Sequence, residues 1–265
     1  MTEPSGGAGR SIAFDRAAEY YDRTRRMSPA AAAATTAMLA SEFAGRGTIL
    51  EIGVGTGQIA LALHGSGVPT AGVDISLPML EKLRQKAGGR SPFPISGADG
   101  TALPFRAGAF GGVVMRHVLH LIPAYDRVAE EAIRVVQPRG VVVVSAGWHS
   151  PMSDEIERLF SEEGGGDRHA GLPPRDTDGL DRLFEGRGAV GRELPSIPSP
   201  GVETTRQFIA SVERNQYSWT WRLSDEERRR AIGALRAWAE GRGLDPDAIL
   251  DPDLQTDWRA YDLAS

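Results

Sequence analysis

Residues 49–57 read Ile-Leu-Glu-Ile-Gly-Val-Gly-Thr-Gly, and this stretch decides the fold. An apolar run that stops at a glycine-rich turn has the pattern of a short buried strand. Thr56 to His64 then has helical spacing, with Ile59, Leu61 and Leu63 apolar and Gly65 past its end. A strand joined to a helix by such a turn opens a βαβ unit. Glycine is required there because the chain must turn tightly and a ligand must approach without meeting a Cβ.

The rhythm continues on the C-terminal side. Thr70–Ser76 is a second strand, and Ser76 caps a helix with Pro78 in its first turn and Leu77, Leu80 and Leu83 packing inward. Residues 93–100 hold a third strand and 110–117 a fourth. Pro123 to Val136 is a helix with Val128, Ile133 and Val136 on its apolar side. Pro138-Arg139-Gly140 is a turn before the fifth strand, Val141–Gly147. Alternating strands and helices imply right-handed crossovers and a parallel sheet covered on both faces. On the N-terminal side, residues 1–10 read as disordered and 11–29 as a short helix and a loop. A helix starts at Ser28-Pro29, runs to about Phe43 and stops near Gly45.

Beyond Trp148 the alternation breaks. Residues 153–166 form a helix with a flexible tip, and 176–188, 202–214 and 224–243 are further helices. The last opens with a Ser224–Glu227 capping box. A sixth strand (188–194), a rigid loop (195–201) and a final strand (254–264) complete the chain. The expectation is one α/β domain with a doubly wound, mostly parallel seven-stranded sheet. Its core is about 45–150 plus 188–194 and 254–264, and a helical lid is drawn from about 11–44, 151–187 and 195–253.

With 265 residues, 41% of them hydrophobic, the chain can bury one sizeable core. A net charge of -5 gives no general pull toward nucleic acid or an anionic membrane. The absence of cysteine excludes disulfides, thiolate–zinc sites and a cysteine nucleophile, and no metal is expected. The first ten residues lack an apolar signal region. No apolar run is long enough to span a bilayer, Ala30–Ala40 coming nearest. The cytoplasm is the expected compartment. The charged exposed faces of the lid helices favour a monomer or a loose homodimer.

Two ligands compete for the crevice above the first strand. A dinucleotide fingerprint, G-x-G-x-x-G from Gly53, would need glycine where Gln58 stands. The pattern present is E-x-G-x-G-x-G. A carboxylate at Glu51 would repel a pyrophosphate but favour a ligand with an ammonium group. Asp74, at the end of the second strand, is placed to accept both ribose hydroxyls of an adenosine, which either ligand carries. Asp99 follows the third strand, where it or its backbone neighbours can meet an adenine edge.

With these motifs in order over about 47–147, the chain resembles the class I S-adenosylmethionine-dependent methyltransferases of the small-molecule type. The resemblance rests on ILEIGVGTG, GVDIS, GADGTALPF, VVMRHVLHLI and RVVQPRGVVVV. It implies a Rossmann-like methyltransferase fold and S-adenosylmethionine as cofactor. It also implies roles at matching positions. Glu51 orients the cofactor's amino group through the loop and water, and Gly53 and Gly55 form its floor. Asp74 binds the ribose, Ile75 and Met79 lie against adenine, Asp99 holds the adenine amino group, and the Arg116 carbonyl faces the ammonium. FDRAAEYYDRTRR (14–26) resembles a segment that folds over the cofactor in many relatives. There Tyr21, with Arg25 or Arg26, meets the methyl and carboxylate ends.

Methyl transfer from a sulfonium is an in-line displacement, so alignment and exclusion of water are the enzyme's main tasks. A base is needed only for a protonated nucleophile. His117 and His120, at the crevice mouth, are candidates for that base or for loop hydrogen bonds; His120 is the preferred one. His149 sits on the same rim as a substrate-pocket candidate, whereas His64 and His169 read as peripheral. Tyr217, Trp219 and Trp221 alternate with small polar residues. Extended, they share one face and either wall an apolar or cationic acceptor pocket or seal the lid. Without cysteine or an Asn/Asp-Pro-Pro-aromatic motif, a small metabolite is favoured over nucleic acid. The sequence leaves open whether O, N or C accepts the methyl group. Two other readings are carried: a cofactor-binding sensor or partner subunit without methyl transfer, whose pocket would lack room for an acceptor, and a nicotinamide-dependent oxidoreductase.

Overall fold

β1 (Ile49–Ile52) is buried along its whole length because parallel neighbours flank it, β2 (Thr70–Asp74) and β4 (Phe110–Met115). The structure is a computed structural model and describes residues 13–164 and 169–265. The disorder expected of residues 1–10 and the flexible tip expected at 165–166 lie outside the described residues. One seven-stranded sheet runs in the order β3-β2-β1-β4-β5-β7-β6. β3 (Ile95–Gly97) and β5 (Val136–His149) extend the parallel part, while β7 (Gln255–Asp262) lies antiparallel between β5 and β6 (Val190–Pro198). The order reverses beside β1, which opens a crevice beyond the carboxyl ends of β1 and β4.

Five helices cover the sheet. On one face α5 (Tyr125–Val135) and α7 (Thr177–Glu185) set Val128, Ala132, Val135, Leu180 and Phe184 against Leu50, Val113, Met115 and Val142. On the other, α2 (Pro29–Glu42) and α3 (Ala60–Gly65) set Leu39 and Leu63, with Phe43 beyond α2, against Ile49, Val114, Val143 and Trp258. α4 (Leu77–Lys86) joins α3 through Leu80 and Leu83 around Val54. A second, separate core lies off the sheet, where α6 (Pro151–Gly164), α8 (Thr205–Glu213) and α9 (Asp225–Gly241) enclose Phe160, Val212, Tyr217, Ala231 and Leu235. The Ser224–Glu227 capping box forms as expected, as does the Ser28 cap.

Several expectations are corrected. α2 and α7 belong to the layers on the sheet, so the helices off the sheet are α6, α8 and α9. Leu77 is 65% exposed, lying over Gly97 at the sheet edge instead of packing inward. The Pro138–Gly140 turn is an irregularity inside β5, whose pairing with β4 shifts register there while Arg139 adopts φ +63°. β6 runs on to Pro198, through the segment whose prolines predict a loop. Residues 217–221 are not extended; Ser218–Thr220 form a 3-10 turn. In the N-terminal segment α1 (Tyr21–Arg25) is a short helix beside a similar turn at Asp15–Ala17.

The double glycine of β4 has a steric cause. A Cβ on Gly111 would stand 1.4 Å from the Arg46 carbonyl oxygen, which is backbone and cannot swing aside. We predict that Gly111→Ala destabilises the fold by about 3 kcal/mol or more, at the upper end of overpacking effects. Equilibrium urea unfolding measures it.

Candidate functional site

The glycine loop is held open from below and from the side. Gly53 and Gly55 have φ of +74° and +52°, where side chains are strained. A Cβ on Gly55 would meet nothing nearer than 3.9 Å, so it would stand in the crevice itself. The Gly55 amide donates to Asp74 Oδ2 at 2.8 Å, and the Ser76 amide donates to Oδ1 at 2.8 Å. Beneath the loop the Ala60 amide donates to Glu51 Oε2 at 2.9 Å. Burial pushes both carboxyls above their ordinary range, Glu51 furthest, while these amides oppose the shift. The Arg116 guanidinium lies in the same region with its buried Nε unpartnered. Burial lowers its pKa, and Tyr21 and Glu51 oppose this.

The N-terminal segment crosses this loop as a strap. Thr56 Oγ1 donates to Asp22 Oδ1 at 2.7 Å, and Lys86 pairs with Asp22 Oδ2 at 2.6 Å. The Ser76 hydroxyl donates to Asp15 Oδ1 at 2.6 Å. The same strap grips the helices off the sheet: Arg16 lies 4.5 Å over the Trp221 ring, Phe14 packs 5.0 Å from it, and Arg25 lies 4.0 Å over Tyr217.

Between the two halves lies one cavity of about 330 Å³, within the usual size of ligand pockets. Tyr21, Arg25, Gly53, Gly55, Asp74, Ile75, Met79, Asp99, Arg116, His117, His120, Tyr217 and Trp219 all line it. Glu51 sits behind the loop, 3% exposed. Asp99 lines the cavity with one oxygen engaged by the Thr101 amide and hydroxyl at 2.9 and 2.8 Å. Two expected pocket residues lie elsewhere. His149 is turned out to pair with Asp257 at 2.7 Å, and Trp221 is taken by the strap and by the Asn215 carbonyl at 2.8 Å.

The histidines gain a third member. His169, read as peripheral, lines the cavity with its ring 5.7 Å from that of His120. The amides of Ala170 and Gly171 both donate to the His120 carbonyl, at 3.0 and 3.1 Å. A Cβ on Gly171 would lie about 2 Å from two carbonyl oxygens, of Leu119 at 2.1 Å and Ile122 at 2.2 Å, so only glycine fits there. No periodicity announces this contact. Burial holds His120 down at about 3, helped by His169 and Arg25, and holds His117 well below its ordinary range. Both rings are therefore neutral at physiological pH. His117 also carries φ +58°, a strained conformation for this residue type at the edge of the site. Among the described residues no His, Asp and Glu cluster is arranged to hold a metal ion, and no helix is long and apolar enough to cross a membrane.

Residues 50–144 match the methyltransferase domain family. The chain is 30% identical over 206 residues to an uncharacterized methyltransferase of Mycobacterium marinum, covering 72% of this chain and 77% of that one. The chain belongs to the class I S-adenosylmethionine-dependent methyltransferases. It is also 30% identical over 135 residues to the malonyl-[acyl-carrier protein] O-methyltransferase of Legionella pneumophila, covering 50% of this chain and about half, 48%, of that relative. The phosphoethanolamine N-methyltransferase 2 of Haemonchus contortus, solved with S-adenosylhomocysteine, shares the fold. Its TM-score is 0.57 at 16% identity, covering 95% of this chain and 58% of that one.

S-adenosylmethionine is the cofactor of this methyltransferase family, and the crevice fits it. The space over Gly55 is clear, and Asp74 and Asp99 reach the cavity.

Glu51 permits a test by pH. Its folded pKa is raised, so its stabilising contribution is complete below the unfolded pKa and is lost as pH rises through the folded value. Glu51→Gln keeps an oxygen for the Ala60 amide but cannot ionise. The variant should gain on the wild type as pH rises above the ordinary carboxylate range, by up to about 1.4 kcal/mol per pH unit while the group titrates. Thermal unfolding of the ligand-free protein reads this gap; a constant gap would contradict it.

Proposed function

We propose that this protein transfers the methyl group of S-adenosylmethionine to a small-molecule acceptor by in-line displacement. The observation that carries the reading is the single cavity running from Asp74, Met79 and Asp99 past the histidines to Phe160, Phe208 and Trp219. Its lining continues beyond the cofactor residues into the lid half, where an acceptor would sit and which a sensor would not need. Gln58 and the buried Glu51 disfavour a nicotinamide dinucleotide. The relative in Legionella is named for methylating a malonyl group on an acyl-carrier protein.

S-adenosylmethionine, when bound, supplies a methyl group already activated as part of a sulfonium. The protein's own work is holding and enclosing. Asp74 accepts the ribose hydroxyls, and its two backbone donors keep it aimed. Ile75 and Met79 flank the adenine and Asp99 takes its amino group. Glu51, through the loop, and the Arg116 carbonyl favour the ammonium. Tyr21, with Arg25 or Arg26, closes over the methyl and carboxylate ends. α6, α8 and α9 act as the lid, and the strap excludes water. His120, neutral and facing the cavity, positions the acceptor or takes its proton, with His117 beside it. We place the reaction in the cytoplasm, on a small molecule and not on nucleic acid or a membrane, in a monomer or loose homodimer. The net charge of -5 argues against nucleic acid, and the charged outer faces of α6 and α9 favour the monomer or loose homodimer.

A screen of small acceptors, read by formation of S-adenosylhomocysteine, tests the proposal. Asp74→Ala should raise KM for S-adenosylmethionine by about 10- to 100-fold, the effect of losing charge-assisted hydrogen bonds. With an acceptor whose nucleophile bears a proton, His120→Ala should lower kcat by about 100-fold or more while leaving cofactor binding unchanged. Full turnover in His120→Ala would remove that histidine from the chemistry. Tight cofactor binding with no product from any acceptor would favour the sensor.

A further inference from the structure

The lid half of the cavity pairs aromatic rings with carboxylates. Phe160 and Trp219 pack edge to face at 4.5 Å, Tyr217 lies 5.3 Å from Trp219, and Phe208 lies 5.3 Å from Tyr217. All four rings line the cavity, as do Glu157, Glu203 and Asp251. Glu203 is fixed between two hydroxyls, accepting from Ser211 at 2.6 Å and from the Tyr217 phenol. Asp251 is 8% exposed; its Oδ2 accepts from Ser150 at 2.6 Å, and its buried Oδ1 has no hydrogen-bond partner. Burial pushes this carboxyl up. The charges of Asp253 and Asp154 push the same way, while the Ser150 hydroxyl and the nearby Asp253 amide oppose the shift.

Asp251 lines the cavity, and a buried carboxylate is costly unless a counter-charge lies near it. Ring faces attract cations, and this box already holds one, the Arg25 guanidinium over Tyr217. Arg25 and Arg26, both from the strap, line the same cavity as Glu203 and Asp251. Resting on the methyl-transfer reading above, we propose that the acceptor is an amine carried on an apolar body, held by the rings of Phe208, Tyr217 and Trp219 with Asp251 and Glu203 as its counter-charges.

The charge flow of the reaction favours the same assignment. The bound ammonium first gives up a proton, to His120 or to water, and the lone pair so exposed forms the new N–C bond as the C–S bond breaks and its electron pair passes to sulfur. Positive charge thus moves from sulfur to nitrogen, and the surplus proton of a primary or secondary amine passes to His120 or to water. Carboxylates and ring faces at the acceptor stabilise the charge that develops there. An anionic nucleophile, such as a phenolate, would instead meet Glu203 and Asp251, of its own sign, at the rings.

Three probes with one aromatic body separate the possibilities: 2-phenylethylamine, 2-phenylethanol and 3-phenylpropanoate. Each is titrated calorimetrically into the protein saturated with S-adenosylhomocysteine, using wild type, Asp251→Asn and Glu203→Gln. The amine should bind at least about tenfold more tightly than the alcohol, and the anion most weakly. Each substitution should erode that preference while leaving the affinity for S-adenosylhomocysteine unchanged. Equal binding of amine and alcohol, preference for the anion, no binding of the amine, or a preference that survives in every folded variant overturns the proposal. Failure of S-adenosylhomocysteine itself to bind would instead remove the methyl-transfer reading on which it rests.

Discussion

The hydrogen bond from the Gly55 amide to Asp74 Oδ2, 2.8 Å long, ties the ends of β1 and β2 together. Parallel pairing brings Ile52 level with Val73, so Asp74 stands opposite the start of the glycine turn. Once that turn is tied, its other contacts follow. Glu51 reaches under it to the first turn of α3, Ser76 caps α4, and the strap finds Asp15 and Asp22 partners on the same surface. Two acids beside one loop, Glu51 buried and Asp74 half-buried, repel each other and lose hydration. Their backbone donors and the nearby Arg116 offset that cost, and a cationic ligand would complete the compensation.

This half of the molecule is legible in the sequence because it is nearly contiguous. The glycine loop, Asp74, Asp99 and the residues after β4 each end a strand, and the sheet order alone gathers them. Val141–Val144, apolar at every position, signals a strand buried on both faces, and the structure buries all four. The off-sheet half is assembled differently. Asp251 reaches the cavity through a two-residue bridge, Thr204 to Ile249, and a bond from the Gly201 amide to its carbonyl. His169 arrives because two amides meet the His120 carbonyl. Neither contact leaves a periodic trace.

The aromatic segment at 217–221 illustrates the limit of period-based reading. In a strand, alternate residues share a face; in a 3-10 turn they are about 240° apart. Tyr217 and Trp219 still line the cavity, but Trp221 turns to the strap. The strap therefore contacts both the cofactor loop and the helices off the sheet, and a ligand in the cavity is enclosed from both sides by one segment.

The central claim is that the crevice takes an adenosyl sulfonium ligand and not a dinucleotide. Calorimetric titration of S-adenosylhomocysteine and of NAD, on wild type and Asp74→Ala, tests it most directly. The account predicts that S-adenosylhomocysteine alone binds and that the substitution weakens it. Binding of NAD, with none of S-adenosylhomocysteine, would contradict the reading of the glycine loop and the chemistry built on it.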